Sequence, residues 1–256
     1  MEGDSASLLD KTVLNRYNKS NEITGGEGGM GIHLHYKEKG NKQNEPLLLL
    51  HGNGEDGSYF VNQIEHFSKS YWVIAVDTRG HGKSPRGNEL FTIRQFAEDL
   101  HNFMDNLNIK KANILGFSDG GNIALIFAMR YPERVNKLIL NGANLDTKGV
   151  KACAQLPTTL GYSLAKMISE TSHEANKKVE MLGLMVNDPN IDVKELGKVK
   201  ARTLVIAGTR DMIKKSHTME IYRNIKNAEM AIIKGNHFIA NRRPESFNEV
   251  VENFLL

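Results

Sequence analysis

A chain of 256 residues has the length of one α/β domain, or at most two small ones, and its 40% hydrophobic and 25% charged residues can build a sizeable core. Against 30 Asp and Glu, 33 Lys and Arg leave a net charge of +3, too little to argue for a nucleic-acid or anionic-membrane partner. The single cysteine, Cys153, rules out an intramolecular disulfide and a multi-cysteine zinc site.

Residues 1–29 are polar, end in a run containing Gly25, Gly26, Gly28 and Gly29, and show no clear period. They carry no basic n-region or apolar h-region of a secretory signal, so they are expected to be a disordered or added leader, with the domain occupying 30–256. From Gly31 the chain alternates strands and helices. Residues 32–37 alternate weakly, as an edge strand does, and would carry His33 and His35. The runs 47–50, 71–76, 113–116, 137–140, 203–207 and 230–233 are almost purely apolar, as strands buried on both faces are. Between them, Ile93, Phe96, Ala97, Leu100, Phe103, Met104 and Leu107 mark one face of a helix. A second helix, 123–130, is apolar all round, and two more are predicted at 214–226 and 244–255, the last with Pro244 in its first turn. This alternation predicts a mostly parallel, doubly covered α/β sheet. The longest apolar run, Ile123 to Met129, falls far short of the roughly 20 residues of a membrane span, so a cytoplasmic protein is expected.

One stretch interrupts the alternation. Residues 145–200 contain only helical pattern, which reads as a helical cap inserted after the sixth core strand. Leu160, Leu164, Met167 and Ile168 form one apolar stripe, and Met181, Leu182, Leu184, Met185 and Val186 another. Both are expected to be covered, with the cap lying over the pocket and its Met and Leu side chains shaping an apolar acyl site.

The strongest chemical signal is Gly116-Phe117-Ser118-Asp119-Gly120, a G-x-S-x-G between an apolar strand and a buried helix. A sharp strand-to-helix turn strains the serine backbone and needs small neighbours. It lifts Oγ above the sheet at a helix N-terminus, which favours developing negative charge. Such a serine needs a base, and the base an orienting acid. His237 alone follows the last core strand, in a short Gly-containing loop; His81 is its rival, and His51 reads as a loop brace. Asp211 follows the strand at 203–207 and is favoured as the acid, with Asp146 the alternative. The turn His51-Gly52-Asn53-Gly54 can aim a backbone N–H at the same place, so the oxyanion donors are expected to be the N–H groups of Asn53 and Asp119. No His/Cys/carboxylate cluster has metal-ligand spacing, and no cofactor is implied.

HGNG at 51–54, the Asp77–Ser84 loop, GFSDGG at 116–121, GTRD at 208–211 and GNHF at 235–238 together resemble the α/β-hydrolase superfamily, over roughly Gly31 to Leu256. The resemblance implies a sheet with a small helical cap, a structural role for the Asp77–Ser84 loop, and Ser118, Asp211 and His237 acting as a triad. Ser118 departs from the dehalogenase-like and epoxide-hydrolase-like members, which use aspartate at the elbow. Its S-D-G-G is similar to that of some small esterases and valacyclovir-hydrolase-like members. The implied activity is cleavage of a small carboxylic ester with a partly apolar acyl group. The same machinery on a thioester, lactone, amide or carbon–carbon bond is the alternative, as is a binding or signalling module with slow turnover. The Asp119 side chain is expected to face outward into solvent; in the pocket and ionised, it would favour a cationic substrate.

Overall fold

Leu47, Leu48, Leu49 and Leu50 are all buried, which an extended chain achieves only when both faces of its sheet are covered. A computed structural model describes residues 32–169 and 172–256 and supplies that cover. The leader expected at 1–29 lies outside the described residues. The strands are β1 (Tyr36–Lys39), β2 (Pro46–Leu50), β3 (Trp72–Val76), β4 (Ala112–Phe117), β5 (Val135–Asn141), β6 (Arg202–Gly208) and β7 (Ala228–Ile233). They form one sheet in the order β1-β3-β2-β4-β5-β6-β7, with β1 antiparallel to β3 and every other pairing parallel.

The two-residue period of the strands sorts their side chains between two cores. Leu48, Leu50, Ile74, Val76, Ile114, Leu138, Leu140 and Val205 face one side, packed with helices α2 (Ile93–Asn106) and α3 (Asp119–Arg130). Leu47, Leu49, Val73, Ala75, Leu115, Phe117, Ile139, Leu204 and Ile206 face the other, packed with α1 (Val61–Phe67), α7 (Ile239–Arg242) and α8 (Pro244–Leu255). Every residue of α3 from Gly120 to Met129 is buried, because α2 covers the side that the sheet does not. Between α1 and α7 in chain order come α4 (Ala152–Ile168) and α5 (His173–Asn187), which make the cap, and α6 (Lys215–Asn224).

This topology locates the site. The chain leaves β2 toward β3 on one side and leaves β4 toward β5 on the other, with α1 and α3 on opposite faces. Adjacent strands whose connections part in this way leave a crevice at their C-terminal ends. Leu50 is in register with Gly116, so the turn after β2 and the turn after β4 lie side by side at that crevice.

Several expectations change. The first strand begins at Tyr36, not Ile32, so His33 and His35 precede it; His35 Nδ1 lies 2.8 Å from Asp77 Oδ2. The cap follows β5, the fifth strand, not the sixth. The short helices α1 and α7 were not legible as periodic pattern. The largest change concerns the stripe on α4: Leu160 is 63% and Met167 80% exposed, and Leu156, Leu164 and Ile168 are exposed with them. A helix pair buries only one face of each member. Here α4 meets α5 through the side that holds Gly161, Tyr162 and Ala165, where Gly161 approaches Leu182 and Tyr162 approaches Gly183. The leucine stripe is left pointing away. Among the described residues no helix is long and apolar enough to cross a membrane.

Candidate active site

Ser118 sits between β4 and α3 with φ +53°, a left-handed value unusual for a residue with a side chain. Its neighbours make the turn sterically possible. A Cβ on Gly116 would lie 2.2 Å from the Gly120 carbonyl oxygen, and one on Gly120 would lie 2.0 Å from that of Leu50. The Ser118 N–H donates to Asn141 O of β5 at 2.8 Å, and the Ser118 carbonyl accepts from Asn122 N–H at 3.0 Å, opening the first turn of α3.

His237 stands in the loop between β7 and α7, with Nε2 3.0 Å from Ser118 Oγ and Nδ1 2.7 Å from Asp211 Oδ1. Both His237 and Asp211 are 3% exposed. Asp211 Oδ1 also accepts the Ile213 N–H at 3.0 Å, and Oδ2 accepts the Gly208 N–H at 3.2 Å. Burial pushes the Asp211 carboxyl upward, but the His237 hydrogen bond and charge and these two N–H donors outweigh it and hold it below the usual carboxylate value. The ring of Phe117 packs on His237, with centroids 4.8 Å apart, and stacks on Tyr59 at 4.5 Å.

The rivals lie elsewhere. Asp146 caps the turn Thr147–Gly149 through the Lys148 N–H and faces His217, not His237. His81 is buried behind the crevice with Nδ1 2.9 Å from Arg79 O, and burial drives its pKa down to about 4. His51 braces its own turn, with Nδ1 2.7 Å from Gly52 O and Nε2 accepting the Thr78 N–H at 3.0 Å. Asn53 and Asp119 both line the cavity above Ser118. As the first residue of α3, Asp119 has an N–H that no intrahelical carbonyl can accept.

The Asp119 side chain does not face solvent, contrary to expectation. It lines the cavity because it opens a helix whose first turn is pressed against the ends of β2 and β5. Its Oδ2 is buried without a hydrogen-bond partner among the described residues, while Asn122 Nδ2 donates to Oδ1 at 3.4 Å. Burial and the nearby Asp188 carboxylate raise its pKa to about 6. Two further carboxylates, Glu55 and Asp188, line the same cavity, and among the described residues no lysine or arginine does. Glu55 follows HGNG directly, a position that could have flagged it; Asp188 comes from the end of α5 and is placed only by the cap. Val150, Met185, Met212, Ile213, Phe117 and Phe238 supply the apolar walls of a cavity of about 110 Å³.

A family model of the α/β-hydrolase fold matches residues 45–155. The chain has the α/β-hydrolase fold. It is 28% identical over 250 residues to the serine hydrolase BPHL of Homo sapiens, covering 88% of this chain and 84% of that protein. It is 29% identical over 274 residues to the 2-hydroxy-6-oxononadienedioate/2-hydroxy-6-oxononatrienedioate hydrolase of Burkholderia vietnamiensis, covering 90% and 93%. Among solved structures, the enol-lactonase from Burkholderia xenovorans LB400 superposes with a TM-score of 0.74 at 24% identity, over 87% of this chain and 96% of that one. That last likeness is one of fold. The sequence relatives are thus hydrolases that carry different names.

Proposed function

We propose that this α/β-hydrolase cleaves a small carboxylic ester through an acyl-enzyme, with Ser118 as nucleophile, His237 as general base and Asp211 as the orienting acid. The observation that carries this reading is the His237 imidazole spanning Ser118 Oγ at 3.0 Å and the buried Asp211 carboxylate at 2.7 Å. With Nδ1–H donating to Asp211, the Nε2 lone pair faces the serine hydroxyl, the arrangement that lets the imidazole take its proton. Ser118 Oγ then attacks the ester carbonyl, and the imidazolium returns the proton to the leaving alcohol. Water, deprotonated by the same Nε2, releases the acid. The oxygen that becomes negative in each tetrahedral state is met by the Asn53 and Asp119 N–H groups and by the N-terminus of α3; one such donor is worth about 3 kcal/mol.

Pocket charge narrows the substrate. Glu55, Asp119 and Asp188 face the cavity with no cationic side chain among its lining residues. A dioate, such as the relative from Burkholderia vietnamiensis is named for, would meet uncompensated like charge here. A compact neutral ester, or one that carries an ammonium group, fits better. The test is kcat/KM for three matched short-chain ester series, neutral, amine-bearing and carboxylate-bearing, alongside a thioester, a lactone and a vinylogous 1,5-diketone. Amine-bearing and neutral esters should be turned over best. Preference for the carboxylate-bearing ester, or for the diketone over every ester, would overturn the proposal.

A further inference from the structure

The turn after β2 is held from both ends. At its base Glu55 and Gly52 bond reciprocally: the Glu55 N–H donates to Gly52 O at 3.3 Å, and the Gly52 N–H donates to Glu55 Oε2 at 3.1 Å. Its tip is Asn53. The backbone N–H of this residue is assigned to the oxyanion above, which leaves its side chain to be accounted for. Asn53 Nδ2 donates to Met181 O, 128 residues away on α5, at 2.6 Å. A carbonyl can only accept, so this contact fixes which end of the amide faces the cap, and Oδ1 is turned back toward His81 Nε2 at 3.4 Å. A helical carbonyl has a second lone pair beyond the one used by the i+4 N–H, so the contact costs α5 no internal bond.

The landing point is informative. Met185 is one turn on from Met181, on the same side of α5, and lines the cavity. Glu180, adjacent to Met181, pairs with Arg86, whose Nε lies 2.9 Å from each carboxylate oxygen. That pair is about a third exposed at both partners, so solvent screens it and it contributes little to holding the cap. The Asn53 contact joins the cap to the residue assigned as an oxyanion donor, which lines the cavity with Ser118.

We propose that the Asn53 side chain is a positioning residue that registers the oxyanion turn against cap helix α5, so that the catalytic geometry is complete only with the cap seated. The proposal rests on the reading of Ser118 as nucleophile and the Asn53 N–H as oxyanion donor. It makes the cap part of transition-state stabilisation and not only a wall of the pocket.

Asn53→Ala and Asn53→Asp both keep the backbone N–H and remove the side-chain donor; the second is isosteric and sets a carboxylate against the Met181 carbonyl. Each is assayed for kcat and KM on p-nitrophenyl acetate and for hydrogen exchange in peptides covering 173–187, with Arg86→Ala as a comparison that removes the neighbouring cap contact without touching the turn. In both Asn53 variants kcat should fall at least tenfold with KM changed less than threefold, and exchange in 173–187 should accelerate. Arg86→Ala, which leaves the Asn53–Met181 contact in place, should keep kcat within threefold and that exchange near the wild-type rate. If Asn53→Ala fails to fold, the isosteric Asp variant gives both readings. Either kcat within twofold of wild type or unchanged exchange in 173–187, in a folded Asn53 variant, overturns the proposal. Fluorophosphonate labelling of wild-type Ser118 is measured in parallel: its absence would refute the serine reading by itself, while the exchange result still decides whether Asn53 holds the cap.

Discussion

Asp211→Asn isolates the orienting role proposed for this carboxylate. Asp211 Oδ1 accepts from both His237 Nδ1 and the Ile213 N–H, and Oδ2 accepts from the Gly208 N–H. An asparagine has one oxygen for these two positions. With its NH2 at the Oδ2 position, it sets donor against donor at Gly208 and loses the negative charge that stabilises the imidazolium. With its NH2 at the Oδ1 position, it confronts Ile213 and turns His237 Nδ1 into an acceptor. The imidazole proton is then driven to Nε2, 3.0 Å from Ser118 Oγ, and the histidine can no longer accept the serine proton. In a serine protease the comparable change lowers kcat about 10⁴-fold, or about 5.5 kcal/mol at 1.36 kcal/mol per decade. A loss of that order is expected here. KM should change little, because Asp211 is not among the residues lining the cavity. The assay is steady-state hydrolysis of p-nitrophenyl acetate, with thermal melting to verify folding and Asp146→Asn for comparison. Retention of more than a tenth of wild-type kcat by Asp211→Asn, or an equal loss in Asp146→Asn, would refute the reasoning.

Burial holds the Glu55 carboxyl up at about 7 against an ordinary 4.5, so between those values the folded chain binds more protons than the unfolded one and stability falls as pH rises. Glu55→Gln removes the ionisation, and its melting-temperature advantage over wild type should grow from pH 4 to pH 8, corresponding to at most about 3 kcal/mol; a difference independent of pH would contradict this. Met185 lines the cavity whereas Met167 is 80% exposed on the outer face of α4. Met185→Ala should therefore re-rank p-nitrophenyl esters of increasing chain length by about 1–3 kcal/mol, and Met167→Ala should leave the ranking unchanged; the reverse pattern would show that the cap is seated differently.

Much of this molecule is legible from local pattern because its central strands are covered on both faces. Purely apolar runs such as Leu47–Leu50 have no other use in a chain of this charge, and their alternation with helical periods specifies a parallel sheet. The elbow is legible for a steric reason: Gly116 and Gly120 stand where a Cβ would strike backbone. Chain order then brings Asp211 and His237 to the same sheet edge. What pattern could not supply is direction. The stripe Leu160, Leu164, Met167 and Ile168 has the spacing of a buried face, but which face of α4 meets α5 is decided by the small residues Gly161 and Ala165 across the pair. Asp119 looks like any acidic residue opening a helix until the fold sets it in the cavity wall near Asn122 and Asp188. Asp188 enters the cavity only through the path of the cap, and seven residues of α1 are too few to display a period.

Covalent capture of the nucleophile tests the proposed chemistry most directly. Intact-mass and peptide mapping after reaction with a fluorophosphonate should give one adduct per chain, on Ser118, and none in Ser118→Ala. Full labelling or wild-type ester turnover in Ser118→Ala, or an adduct on any other residue of the wild-type chain, would contradict a mechanism built on Ser118.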